Sequence, residues 1–130
     1  PATNAIGVHH PSGDVKKIST YIGALQQSSW TEAPARLHWM VPKWTRGVTE
    51  PGSSGSPLFN SKGLVIGHLH GGQSACDFIT GYDMYGGLAW DWATAPLQSQ
   101  RLAQYLNPTK LNVTSMAGVQ LKAARSRLRR

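Results

Sequence analysis

The chain has 130 residues, the length of one domain or part of one, since domains usually run to roughly 100–200 residues. With 40% apolar and 15% charged residues it can bury a core, carries too little charge for a disordered chain, and holds no run near the ~18 apolar residues of a membrane span. Thirteen basic against six acidic residues give a net charge of +7. Lys122, Arg125, Arg127, Arg129 and Arg130 crowd the end of the chain, so the body is nearly neutral, which argues against the broad cationic face of a nucleic-acid-binding domain.

No charged-then-apolar leader opens the chain and its first residue is Pro1, so a trimmed chain or a fragment is expected. Fourteen glycines and eight prolines, most of them in the first two-thirds, cut the chain into short segments with many turns, a β-rich pattern. Residues 4–9 are short and apolar, and Pro11-Ser12-Gly13-Asp14 reads as a turn. Residues 15–22 alternate loosely, with Val15, Ile18 and Ile22 as the apolar positions. Residues 37–41 make another strand, and 63–69 a buried one after the turn Asn60-Ser61-Lys62-Gly63. A further strand or hairpin arm fits 85–90. A helix is expected over about 94–106: Thr94 caps it, Pro96 suits its first turn, Leu102, Tyr105 and Leu106 share a face, and Asn107-Pro108 stops it. Residues 110–130 form a basic tail expected to be poorly ordered. The pattern is all-β with one late helix, a barrel or a sandwich, and periodicity does not choose between them.

Chemistry concentrates in Gly47-Val48-Thr49-Glu50-Pro51-Gly52-Ser53-Ser54-Gly55-Ser56-Pro57. Gly52 and Gly55 allow a tight turn around Ser54, and Pro51 and Pro57 stiffen its ends. A nucleophilic serine needs such a turn, because its Oγ must project into a cleft while the adjacent amides converge on a developing oxyanion. A Gly/Ser linker has the same composition, but prolines bracket this run and it sits in the middle of a compact domain.

Gly52-Ser53-Ser54-Gly55-Ser56-Pro57 resembles the nucleophile box of chymotrypsin-like serine proteases, and the longer string is similar to the bacterial lysyl endopeptidase branch. Ala5-Ile6-Gly7-Val8-His9-His10-Pro11, Lys17-Ile18-Ser19, Gly67-His68-Leu69-His70-Gly71-Gly72, Tyr85-Gly86 and the ending Arg101-Leu102 to Leu106-Asn107-Pro108 resemble that branch in the same order. The resemblance covers roughly residues 4–109. It implies an antiparallel β-barrel, the second barrel of a two-barrel protease, as one domain over residues 1–109. The catalytic histidine and aspartate would then lie on a first barrel missing from this chain.

On that resemblance Ser54 is the nucleophile, and the oxyanion hole is the backbone N–H groups of Gly52 and Ser54. The trypsin-type specificity Asp is absent, its place being Val48. Asp83, two residues before Tyr85-Gly86, is the expected receptor for a P1 lysine, with Glu50 a rival acid. His70 is expected to order the site through an aromatic, with Trp30 as the match. His9 and His10 match a barrel strand, and His38 and His68 read as strand residues. Bare backbone at Gly71 and Gly72 could pair with an extended substrate. Ser53 stands where the common box has Asp, as in the lysyl branch. Cys76 cannot close an internal disulfide, and the resemblance pairs it with a cysteine of the missing half. The tryptophans Trp39, Trp44, Trp90 and Trp92 read as core.

These features imply a secreted bacterial serine endopeptidase that cleaves after Lys, represented by its C-terminal half and inactive alone. No metal or cofactor is implied, and the expected partners are a peptide or protein substrate and the N-terminal barrel, with no membrane and no nucleic acid. A non-catalytic peptide-binding barrel is the alternative. An anion-binding basic protein is a weaker third, which the salt dependence of nucleic-acid affinity would expose.

Overall fold

The computed structural model describes residues 3–30 and 37–118. Seven strands, β1 (Thr3–His9), β2 (Lys17–Ala24), β3 (Gln26–Ser28), β4 (His38–Val41), β5 (Pro57–Asn60), β6 (Val65–Gly72) and β7 (Asp83–Gly87), are followed by two short helices, α1 (Leu88–Ala93) and α2 (Ala103–Leu106). The strands form one antiparallel sheet in the order β2-β1-β5-β6-β7-β4-β3. Its two edge strands, β2 and β3, are separated in the chain by Leu25 alone. One bent stretch of chain therefore supplies both edges, and the sheet must curl round to meet itself, as a barrel wall does. Gly23, at φ 150, lies just before that bend, in backbone that favours glycine.

The curled sheet encloses Ala5, Leu25, Val41, Trp44, Leu58, Leu69 and Tyr85, inward residues from five of the strands and their connections. Trp44 and Tyr85 meet edge to face with ring centroids 6.3 Å apart, a favoured aromatic geometry. Space for them comes from Gly7, where a Cβ would crowd both rings at 3.1 Å. Buried this deeply, the Tyr85 phenol has its pKa pushed far up, chiefly by desolvation.

Three expectations are corrected. The apolar residues of the second strand do not face the core: Val15, Ile18 and Ile22 are 68%, 64% and 72% exposed, while Ser19 between them is 1% exposed. Two strands, β3 and β5, lie outside the expected set. The first has no apolar residue to betray it and the second begins at a proline, a position that strands tolerate only at their ends and edges. The single helix over 94–106 is replaced by α1 and α2. Thr94 ends α1 instead of starting a helix, its N–H bonding to Trp90 O at 3.0 Å. Ala95, preceding Pro96, is steered away from helical backbone. Leu102 N–H then bonds back to Asp91 O at 2.8 Å, and only one turn of helix follows. Of the basic tail, 110–118 is described, without strand or helix; Lys122 and the four arginines lie outside the described residues.

Candidate active site

The loop between Thr49 and Pro57 makes a tight double turn. Ser53 N–H bonds to Glu50 O (3.0 Å) and Ser56 N–H to Ser53 O (3.1 Å), while Gly55 N–H and Leu69 O (2.8 Å) and Leu69 N–H and Ser56 O (2.8 Å) tie the turn to β6. Gly52 and Gly55 have φ of 93° and 79°, backbone that other residues enter only with strain. Ser53 and Ser54 consequently point opposite ways. Ser53 is 1% exposed and Ser54 faces solvent. Among the described residues, the Ser54 hydroxyl has no hydrogen-bond partner, and the Gly52 and Ser54 amides donate to no protein group.

Under the turn lies a chain of buried polar contacts. Ser53 Oγ and His9 Nδ1 are 2.9 Å apart, His9 Nε2 and Ser19 Oγ 3.0 Å, and Ser19 Oγ donates to Val48 O at 2.9 Å. Desolvation lowers the His9 pKa, with Asp83 opposing and His10 adding to the shift.

Asp83 begins β7 opposite Gly72 of β6 and is 1% exposed. Its Oδ2 accepts from Trp44 Nε1 (2.6 Å), Thr49 Oγ1 (2.8 Å) and Ser74 Oγ (2.6 Å). Its Oδ1 is buried and, among the described residues, has no partner. A Cβ on Gly72 would collide with that oxygen, so glycine is required beside it. A buried carboxylate oxygen left unpaired is expensive, and a cationic donor is the partner it suits. Glu50 differs: its Oε1 accepts from the Cys76 amide at 3.3 Å and its Oε2 from Ser12 Oγ at 2.9 Å. Both oxygens of the rival acid are thus engaged. The Glu50 carboxylate also pushes up the pKa of the exposed Cys76 thiol.

His70 is the extra residue where the β6–β7 register shifts between Leu69 and Gly71, a bulge that re-aims its side chain. Its ring stacks on Trp30, centroids 4.2 Å apart. His38, read from sequence as an ordinary strand residue, joins them: its Nε2 lies 2.9 Å from His70 Nδ1 and the two rings stack at 5.2 Å. Desolvation first, then His70, lowers the His38 pKa. His68 pairs instead with Asp91 at 2.9 Å, and His10 Nδ1 lies 3.3 Å from Asp14 O.

Thus the turn leads through Leu69 into His70, Gly71 and Gly72, and Gly72 abuts Asp83. Beyond Leu69, β6 outruns β5, which pairs no further than His68. Among the described residues no strand covers Gly71 and Gly72 on the side away from β7. The contributions of Trp44, Thr49 and Ser74 to Asp83, and of His9 to Ser53, had no local signal. All but the Ser74 contact, nine positions from Asp83, are long-range meetings, although a buried Asp invites a search for donors. Among the described residues no histidine hydrogen-bonds to Ser54: each of the five is bonded elsewhere.

A curled antiparallel sheet presenting an exposed serine on a two-glycine turn is the architecture of a serine-protease barrel. Residues 1–86 match the family model of the lysyl endopeptidase C-terminal domain, and the chain belongs to that family. Its origin is therefore a protease family. Among solved structures it is similar to Rv3671c from M. tuberculosis H37Rv, a serine-to-alanine mutant in its inactive form, with 19% identity and a TM-score of 0.46. That match covers 74% of this chain and 50% of the other, so the chain spans half the length of that neighbour. Among the described residues no helix is long and apolar enough to cross a membrane.

Proposed function

We propose that this chain is the nucleophile-bearing half of a secreted serine endopeptidase that cleaves after lysine. The observation that carries the reading is the exposed Ser54 hydroxyl on a turn whose Gly52 and Ser54 amides are, among the described residues, unbonded. Ser54 Oγ adds to the scissile carbonyl carbon as its proton passes to a base. The carbonyl oxygen, now negative, accepts from the two amides, each such donor being worth about 2.7–4 kcal/mol in the transition state. The C–N bond breaks as the base returns the proton to the leaving amine, and water then hydrolyses the ester. The base must come from outside these residues, since every histidine is engaged away from Ser54. Cys76, exposed beside Glu50, is the thiol that would tether a base-bearing segment.

The P1 side chain passes Gly72 and sets its ammonium on Asp83 Oδ1. A compact ammonium suits a single free oxygen, whereas a guanidinium fork favours two. The substrate backbone extends the open edge at Gly71 and Gly72.

The absence of a histidine at Ser54 also favours a second reading, a barrel that binds lysyl peptides without cleaving them. Incubating the purified chain with a lysyl peptide amide tests both. Binding without turnover is expected, with turnover appearing when a base-bearing segment is supplied. Ser54-dependent turnover by the chain alone would overturn the external base. Persistent binding with no acylation of Ser54 under any complementation would select the second reading.

A further inference from the structure

We propose that His9 is a positioning residue for the Ser54 turn, acting through Ser53. The inference rests on the reading of Ser54 as nucleophile. Its geometry lies wholly beneath the surface. Ser19 Oγ spends its proton on Val48 O at 2.9 Å, so toward His9 it can only accept, and His9 Nε2 carries the ring proton. His9 Nδ1 is then bare, and Ser53 Oγ donates to it at 2.9 Å. The chain of bonds runs one way, from Ser53 through the imidazole and Ser19 to Val48, and spans both ends of the segment preceding Ser54.

This anchorage fixes the amide that matters. Ser53 is held by its side chain, by its N–H on Glu50 O and by its carbonyl under Ser56 N–H. A trans peptide points its C=O and N–H in opposite directions. With Ser53 C=O turned to Ser56 N–H, the N–H of Ser54 must point away from that contact, free for an anionic oxygen. Cationic His9 would have donors on both nitrogens, and the buried Ser53 hydroxyl would lose its acceptor. The neutral ring is favoured by burial and by His10, and opposed by Asp83. Lys17 of β2 is paired directly opposite His9 of β1 but turns its ammonium to Asp14 at 2.9 Å, and Glu50 spends its carboxylate on Ser12 and Cys76.

NMR on the chain as it stands tests this. The His9 ring is expected as the Nε2–H tautomer, and the Gly52 and Ser54 amide shifts are expected to titrate with it at one midpoint below the usual histidine value. Ser53→Ala keeps His9 but should uncouple those amides from its titration. His9→Gln, which offers one donor and one acceptor, should hold the wild-type shifts and flatten their pH dependence. An Nδ1–H tautomer, or amides that ignore the ring titration in the wild type, would overturn the proposal, and the wild-type titration decides even where a variant does not fold. None of these readouts requires catalysis. If Ser54 is not a nucleophile, acylation fails while the amide titration remains, so the two failures separate.

Discussion

Two faces of the same hairpin, β1 with β2, invert the usual rule for sheets. The inner face meets the candidate active site and is polar: His9 and Ser19 are buried there and bonded to the serine turn. The outer face carries Ile6, Ile18 and Ile22, all exposed, with Val15 beside them. A half-buried antiparallel strand ordinarily turns its apolar side inward. Here the inward positions at His9 and Ser19 are spent on holding a loop, so interior polarity serves the site, and of this hairpin's strands only Ala5 joins the hydrophobic core that β4, β5, β6, β7, Leu25 and Trp44 supply, with Tyr21 packed against that core. The polar flank should therefore be intolerant of change, and the apolar face indifferent to it.

The largest expected effect is chemical. Ser54→Ala should remove acyl transfer in the base-complemented enzyme, a loss on the order of 10⁶ in kcat where nucleophile and base act as a unit. Because the Ser54 hydroxyl has no partner among the described residues, the variant's thermal midpoint should stay at the wild-type value; a large drop would mean that the hydroxyl has a structural partner. Next comes Asp83→Asn. The amide oxygen can still accept from Trp44, Thr49 and Ser74, but the charge on the far side is gone. Binding of lysyl ligands should weaken by about 2–5 kcal/mol, as for removal of one partner of a buried charged pair, measured by calorimetry, and a neutral norleucyl analogue should gain relative to lysyl. Equal weakening for both ligands would point to a collapsed pocket.

The turn around Ser54 was readable from sequence because its signal is local: glycines, prolines and serines at fixed offsets demand that backbone. Asp83 was placed by resemblance, and its environment was not legible. Trp44, Thr49 and Asp83 are brought together by strand pairing across 39 and 34 positions, and nothing in single-sequence periodicity encodes such a meeting. The same holds for His9 and Ser53, 44 positions apart. The misread helix has another cause. The strand or hairpin arm expected over 85–90 stops at Gly87, and Leu88–Ala93 becomes α1 as the chain leaves the sheet. Propensity is a weak prior against tertiary context.

A smaller effect should appear with pH. His9 and His38 both have pKa values lowered mainly by desolvation. Below the ordinary value of 6.5 the unfolded chain takes up protons that the folded chain refuses. Stability should thus be full above that value and fall as pH drops from it through the folded values. Urea midpoints across this range measure it, and His9→Gln should remove part of the slope. An unchanged slope in that variant would assign the whole effect elsewhere.

The smallest effect is the sharpest test of the two faces. Ile18→Thr and Ile22→Thr keep a β-branched side chain, and both positions are largely exposed. Each change should stay within about 0.5 kcal/mol. Ser19→Ala, one position from Ile18 on the inner face, deletes only an oxygen. It strands the His9 Nε2–H and the Val48 carbonyl, each costing about 1–3 kcal/mol when left unsatisfied. In this strand, then, losing a hydroxyl should cost more than losing isoleucine's hydrocarbon, the reverse of an ordinary sheet. Urea unfolding with an unchanged m-value measures both. Should Ile18→Thr prove as damaging as Ser19→Ala, the outer face is covered in solution, and the cost should then grow with protein concentration if a second copy is the cover.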